Sequence, residues 1–194
     1  DEPARWQQAP ITSWRVEGTG NATVIVGDTV YVGGDFSTVR SPDGGTVVTR
    51  NNLAAFDLNT GALRPEFQAN TNGIVRTLVA SGSNLIVGGS FTSVRGVPRG
   101  RLAAVNLTTG AVATSLVADT NSNVYSLAVG GGRLYIGGSY STIRGAARSR
   151  LAALDASTWA VTPYAPNPNG TVLSVAASPT GDRVYARGTF STVG

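Results

Sequence analysis

The chain contains no cysteine, methionine, histidine or lysine among its 194 residues. Without cysteine and histidine there can be no disulfide, no thiolate or imidazole metal site and no Ser-His-Asp triad. The absence of lysine excludes Schiff-base chemistry and the lysine of a P-loop. Charged residues make up only 13% of the chain, about half of the ~25% in an average globular protein. We therefore expect no cofactor, no metal ion and no catalytic residue.

The chain also lacks any apolar run close to the ~20 residues that span a bilayer, so membrane insertion is not expected. Its net charge of +4 is too small by itself to indicate binding of nucleic acid. The sequence begins at Asp1 without an initiator methionine. A secreted protein begins in this way once its signal peptide has been removed, although a trimmed chain does so too. We expect an extracellular or cell-surface protein.

Glycine and internal repetition are abundant. With 25 glycines and 9 prolines the chain is rich in turns, which argues against a helical bundle. One segment, VGGDFSTV in its first copy, occurs at Val32–Val39, Val87–Val94, Ile136–Ile143 and Ala186–Val193. A second segment, LAAFD in its first copy, occurs at Leu53–Asp57, Leu102–Asn106 and Leu151–Asp155. Repeats of roughly 50 residues indicate a propeller or a related array.

Each repeat reads as four short strands, called A to D, separated by turns of Gly, Pro, Asn and Asp. In the third repeat the predicted strands are Val124–Val129, Arg133–Tyr140, Arg150–Leu154 and Trp159–Tyr164. Strands B and C are apolar at successive positions, which predicts a sheet that is buried on both faces. The predicted fold class is therefore all-β, a β-propeller of four-stranded antiparallel blades.

The repeats predict about four blade equivalents. The predicted parts are an N-terminal segment 1–20 that completes or precedes a blade, blade 1 at 21–72, blade 2 at 73–121, blade 3 at 122–170, and strands A and B of blade 4 at 171–194. Blade 1 is longer because its loop between strands B and C carries an insertion of six residues. The glycine pair in strand B predicts a bulge or the close approach of another backbone.

Several arrangements of the blades stay open. In the first, Ala4–Gln8 and Ile11–Val16 form strands C and D of the fourth blade, so that a four-bladed ring closes. In the second, the chain is the N-terminal part of a larger propeller. We favour the second because Ala4–Gln8 matches the LAALD pattern poorly. In a third arrangement two chains complete one ring, and an open blade edge would also allow self-association.

The order of the motifs resembles that of a known repeat. GGxFxxV is followed by an Arg-rich loop, LAAxD, an NTG or TTG turn and PNxNG. This order resembles the tandem β-propeller repeat of uncharacterised secreted and surface proteins of bacteria, of the actinobacterial type. The resemblance covers residues 21–194 and implies a large extracellular protein with other adhesion or carbohydrate-recognition modules. It implies no particular activity, because the family has no agreed one.

The loops between strands B and C carry the clearest chemical signal. They hold eight of the fifteen arginines and one acidic residue, Asp43, which gives them a net charge of +7. The candidate residues are Arg40, Arg50, Arg95, Arg99, Arg101, Arg144, Arg148 and Arg150. On one face of a propeller they would suit an acidic glycan, a phosphate polymer or an acidic protein. Alternatively, the same arginines, above all Arg101 and Arg150, hold blades together through acidic side chains or loop carbonyl groups.

A second set of candidates lies in the loops between strands D and A, where Asn72, Asn123 and Asn169 suit the hydroxyl groups of a glycan. Asparagine is also common in plain turns, because it tolerates positive φ. The expected function is a non-catalytic binding or scaffold module of a bacterial surface protein. The alternatives are a glycan hydrolase or lyase of propeller type, which needs two acidic groups in one pocket, and a purely structural assembly subunit.

Overall fold

The computed structural model describes residues 13–194, which form sixteen β-strands and no helix. Unit 1 contains β1 (Arg15–Val26), β2 (Thr29–Arg40), β3 (Val47–Thr49) and β4 (Leu53–Asp57). Unit 2 contains β5 (Val75–Ser81), β6 (Asn84–Gly89), β7 (Ser93–Val94), β8 (Val97–Pro98) and β9 (Leu102–Asn106). Unit 3 contains β10 (Val124–Gly130), β11 (Arg133–Gly138), β12 (Thr142–Ile143), β13 (Ala146–Ala147) and β14 (Leu151–Asp155). Unit 4 contains β15 (Val172–Ala177) and β16 (Val184–Gly188).

Within each of the first three units, three strands pair in chain order to form a sheet. These sheets are β1-β2-β4, β5-β6-β9 and β10-β11-β14, and unit 4 has the pair β15-β16. All of these pairings are antiparallel, which confirms the all-β prediction and the order of strands A, B and C. In residues 13–194 there is no helix long and apolar enough to cross a membrane.

Strand D differs from its prediction. In unit 3 the segment Trp159–Tyr164 contributes a single bridge, between Val161 and Leu154, instead of a strand. Pro163 has no N–H to donate to a neighbouring strand, and Trp159 has a positive φ of 59° that breaks the extended backbone. Units 1 and 2 also have one bridge at this place.

The connection between the second and third strands of a sheet folds into a small hairpin. In unit 3, β11 ends before the predicted Tyr140, and β12 pairs with β13 across the turn Arg144-Gly145. These two turn residues have φ values of 51° and 77°. Positive φ at both positions is the type I′ geometry that suits a two-residue hairpin. Unit 2 repeats this turn at Arg95-Gly96.

The first strand begins earlier than the predicted blade 1. Arg15 and Val16 pair with the end of β2, so these two residues extend strand A and do not form part of a strand D. The strand therefore crosses the predicted boundary at residue 20, because the longer first hairpin supplies further pairing partners. The predicted strand Ala4–Gln8 and residues 11–12 lie outside the described residues.

A repeated glycine allows consecutive sheets to pack closely. A Cβ atom on Gly88 would lie 2.6 Å from Cγ1 of Val124 in the next unit, well inside the usual contact distance of about 3.5–4.0 Å. The other two junctions have the same contact, in the pairs Gly33–Val75 and Gly137–Val172. We call the glycine the receiving position and the valine the inserted position of a junction.

The second glycine of each pair lies beside a bulge in the first strand of its own sheet. In unit 2 the register shifts between Val75 and Thr77, and a Cβ atom on Gly89 would clash with the carbonyl oxygen of Ile74. The second glycine thus lies at the predicted bulge. The first glycine makes room for a valine side chain of the next unit and not for another backbone.

The core lies between consecutive sheets. One buried cluster joins units 2 and 3 and includes Ile86 and Leu134, both fully buried. Two further clusters join units 1 and 2 and units 3 and 4. Strands such as β9 are buried along most of their length, which confirms the prediction of two covered faces. Within residues 13–194, units 1 and 4 have no extensive contact, so the described units form an open series.

Candidate functional site

The arginine-rich and asparagine-rich loops meet at one end of the sheets. Thr71, which precedes β5, forms a bridge with Val94 of β7, and Thr120 forms the corresponding bridge with Ile143 of β12. We call this end of the molecule the loop end. The opposite end consists of the tight turns after the first and third strands of each sheet, and we call it the turn end.

Three candidate arginines occupy one repeated position and are buried or half-buried. Arg99 donates from Nη1 to the carbonyl of Pro98 (2.8 Å) and from Nη2 to that of Ala113 (3.1 Å). Arg50 and Arg148 make the same two kinds of hydrogen bond in their units. Burial lowers the pKa of Arg50 from its ordinary value because desolvation disfavours the charged form. These side chains join each hairpin to the segment that follows the third strand.

Arg101 and Arg150 occupy a second repeated position, with φ values of 67° and 65°. Nη1 of Arg101 donates to the carbonyl of Thr120 (2.9 Å), and Nη1 of Arg150 donates to that of Pro168 (2.8 Å). Each of these carbonyls belongs to the loop that leads to the next unit. The geometry therefore agrees with the structural alternative that the sequence left open for these two arginines.

Arg95 and Arg144 are the exposed members of the set, at the tips of the type I′ hairpins. Nη1 of Arg95 lies 3.4 Å from the carbonyl oxygen of Thr109, which is a weak contact. Nη1 of Arg144 donates to the carbonyl of Trp159 at 2.5 Å. The remaining nitrogens of these guanidinium groups make no hydrogen bond within residues 13–194, so they are open to a ligand.

Arg40 forms the one ion pair of the candidate set within the described residues. Its Nε lies 2.5 Å from Oε1 of Glu17 and its Nη2 lies 3.0 Å from Oε2. These hydrogen bonds and the charge of Arg40 lower the pKa of Glu17, while Glu17 raises the pKa of Arg40. Arg40 is therefore compensated in charge.

The other seven candidate arginines have no acidic partner within residues 13–194. A carbonyl group accepts a hydrogen bond from a guanidinium group but does not cancel its charge. The loop end therefore keeps its positive charge although most of its arginines also hold loops in place. The two alternatives from the sequence are compatible at the same residue.

Five of the nine acidic side chains in residues 13–194 lie at the turn end. Asp155 accepts hydrogen bonds from the backbone N–H and hydroxyl groups of Ser157 and Thr158, which lower its pKa. Arg64 pairs there with Asp28 (2.9 Å) and Asp57 (2.8 Å). The acidic residues of this end are Asp28, Asp57, Glu66, Asp155 and Asp182. The turn end also carries Arg64, Arg133 and Arg183, and the loop end also holds Glu17, Asp35, Asp43 and Asp119. With its eight arginines the loop end stays net positive, whereas the turn end is net negative.

The predicted asparagines have different positions. The side-chain oxygen of Asn72 accepts from the N–H groups of Thr92 and Ser93, and its amide nitrogen donates to the Thr92 hydroxyl. Asn169 makes equivalent hydrogen bonds in unit 4. In unit 3 this capping residue is Asn121, while Asn123 donates to the hydroxyl of Tyr125 at 3.4 Å. The amides of Asn72 and Asn169 are therefore occupied inside the protein.

An open cleft of about 490 Å³ lies at the loop end beside the junction of units 1 and 2. Its polar lining includes Glu17, Asp35, Asn51 and Asn72, and a neighbouring cleft of 330 Å³ adds Arg95. The sequence did not point to Asn51 as a member of this surface. Asn51 stands where units 2 and 3 have Gly100 and Ser149, and this departure from the repeat is the signal that could have found it. In residues 13–194, no three acidic side chains converge on a metal site.

Comparison with known proteins is informative only about the fold. No family model and no curated protein matches the chain. The crystal structure of the computationally designed protein Ika4 is similar to this chain, with 16% sequence identity and a TM-score of 0.57, over 89% of this chain and 93% of Ika4. The computationally designed protein Ika8 is similar at 16% identity and a TM-score of 0.55, over 84% of this chain and 42% of that one.

Proposed function

We propose that the chain is a β-propeller binding module of a secreted or cell-surface protein, and that its loop end binds an anionic polymer. The propeller is supported by the stacking of equivalent sheets through the same glycine–valine junction. The observation that carries the binding proposal is the separation of charge. Seven arginines at the loop end have no acidic partner within the described residues.

The form of the surface favours a polymer over a small ligand. Corresponding residues of stacked sheets lie roughly 10 Å apart, so the hairpins of Arg95 and Arg144 present separate charges along the stack. The cleft that Arg95 lines is open and not enclosed. A chain of carboxylate or phosphate groups contacts several such hairpins at once, whereas a single anion contacts only one. Acidic glycan and polymeric phosphate fit this requirement.

Retention on immobilised polymers tests the proposal. We expect the protein to bind a polygalacturonate resin or a polyphosphate resin at low salt, and to leave it as the salt concentration rises, because released counterions weaken the binding. An uncharged dextran resin serves as the matched control. The comparison of the two anionic resins shows whether carboxylate or phosphate is preferred. Equal behaviour on dextran and on both anionic resins contradicts the proposal.

The cleft of about 490 Å³ at the loop end suggests a glycan hydrolase as the alternative function, because its lining contains two acidic residues and several amides. A general acid must hold its proton near neutral pH, which requires a raised pKa. The pKa of Glu17 is instead lowered by Arg40. We therefore favour binding over hydrolysis, and incubation of the protein with polygalacturonate followed by an assay for new reducing ends separates the two.

A further inference from the structure

The outward face of unit 1 is an apolar sheet face that no described residue covers. It contains a cleft of about 430 Å³ whose lining includes Trp14, Val16, Val32 and Phe56. Ile25, which pairs with Val30 on the same sheet, is 57% exposed. In the internal units the equivalent face packs against the preceding unit and forms part of the core.

The outward face of unit 4 is the other uncovered face. Tyr185 is 61% exposed, whereas Tyr31 and Tyr135, its equivalents in units 1 and 3, are 3% and 1% exposed. A large apolar side chain that is exposed on a sheet face, where its equivalents are buried, indicates an interaction surface.

The two outward faces differ from the internal junctions in side-chain size, one with a larger residue and the other with a smaller one. At the receiving position, where units 1 to 3 have glycine, unit 4 has Arg187. At the inserted position, where the later units have valine, unit 1 has Gly20, which pairs with the second glycine of β2 as Val75 does with that of β6. The outward face of unit 4 thus has a large side chain at the position where internal junctions have glycine, and the outward face of unit 1 has glycine where they have valine.

We infer that the outward face of unit 4 packs on the outward face of unit 1 of a second copy of this chain. In this head-to-tail contact the aliphatic part of Arg187 occupies the space above Gly20, while its guanidinium group stays at the rim. Because the two faces differ, the contact is heterologous and closes into a ring of copies or continues as a filament. This inference uses neither the hairpin arginines nor the anionic ligand of the proposed function.

The choice of a second copy as the partner follows from two residues, Arg187 at the receiving position of unit 4 and Gly20 at the inserted position of unit 1. A valine at the inserted position would meet Arg187, so a further unit of the internal type does not fit unit 4. Unit 1 lacks the inserted valine, so an internal unit placed before it would have nothing to fill the space above its receiving glycine. Each outward face therefore fits the other better than it fits an internal unit, and in residues 13–194 the two faces do not meet within one chain.

Exchange of the two side chains provides the test. Gly20→Val restores the inserted side chain and should clash with Arg187 of the next copy. Space exists for it within the chain, since a Cβ atom on Gly20 has its nearest neighbour at 3.5 Å. Arg187→Gly introduces the residue that units 1 to 3 already have. The double variant recreates an internal glycine–valine pair at the contact between copies.

Sedimentation equilibrium over a range of protein concentrations gives the result. We expect the unmodified chain to associate, Gly20→Val to weaken association by about tenfold or more because of overpacking, and the double variant to recover most of it. Hydrogen exchange should show protection of β16 that rises with concentration. A chain that stays monomeric overturns the inference, including when β16 is protected within the monomer. Failure of the double variant to recover association overturns it as well.

Discussion

Replacement of Gly88 by alanine tests how consecutive sheets are held together. A Cβ atom at this position would lie 2.6 Å from Cγ1 of Val124 and 2.7 Å from Cγ2 of Thr77. Both neighbours are buried, with exposures of 0% and 8%. Thr77 also accepts a hydrogen bond from the N–H of Leu127 in the next unit. The new methyl group therefore cannot be accommodated by a simple rotation of one exposed side chain.

The expected loss of stability follows from two opposing effects. Overpacking of a core by one carbon atom costs about 1–3 kcal/mol. The loss of chain entropy in the unfolded state on replacing glycine returns about 0.5–1 kcal/mol. The net effect is a destabilisation of about 1 kcal/mol, which for a domain of this size lowers Tm by about 2–4 °C.

Thermal unfolding followed by circular dichroism measures this effect. Gly45→Ala is the matched control, because this exposed glycine has no positive φ and a Cβ atom on it would meet only the exposed Asp43 carboxylate, at an ordinary contact distance of 3.4 Å. Its change should therefore stay within about 0.5 kcal/mol. Val124→Ala in the Gly88→Ala background removes one of the two clashes and should cost less than the sum of the single changes. Equal Tm values for Gly88→Ala and Gly45→Ala, or strictly additive effects in the pair, would refute the junction described here.

The remaining predictions concern the arginines and the turns. Arg99→Met should destabilise the protein by about 1.5–3 kcal/mol in urea unfolding, because it removes charged donors from two carbonyls. Arg95→Asn, at an exposed position, should change the stability by less than about 0.5 kcal/mol. Equal losses of stability in the two variants would contradict these roles. Asp155 has a lowered pKa in the folded state, so its stabilising effect is present above the unfolded pKa of about 4 and is lost as the pH falls below it. Asp155→Asn should leave Tm almost unchanged at pH 7, since Asn106 makes the same turn in unit 2, and should reduce the fall in Tm between pH 6 and acid conditions. An unchanged pH dependence would contradict this assignment.

Much of the sheet structure could be predicted from the sequence, because the pattern is local and repeated. Successive apolar residues in Leu102–Asn106 predict a strand with two covered faces, and this strand is buried as expected. The glycine pair at Gly88-Gly89 predicts a bulge or the close approach of another backbone. The bulge is present, whereas Gly88 receives the side chain of Val124. Strand D could not be predicted in the same way, since its apolar residues contact the sheet through a single bridge and not through a regular ladder.

The chemistry of the site could be predicted only in part. The sequence locates the arginines in one kind of loop, but the acceptors of Arg99 and Arg101 are backbone carbonyls, and no side-chain pattern reveals a carbonyl. The asparagines in these loops likewise do not show which of them caps the hairpin, so the sequence predicts Asn123 where Asn121 is the capping residue. The exposure of Arg95 depends on the type I′ hairpin, whose two-residue arms are too short to recognise in a sequence.

Two variants with equal net charge provide the most direct test of the charge separation that underlies the proposed function. Arg95→Asn with Arg144→Asn removes two charges from the loop end and keeps the positive φ that asparagine tolerates. Arg133→Gln with Arg183→Gln removes two exposed charges from the turn end. We predict that, in moderate salt, the first variant binds the preferred anionic polymer about tenfold more weakly than the unmodified chain, while the second binds as the unmodified chain does. Equal weakening in both variants would contradict the account, because it would show that net charge and not the loop end determines binding.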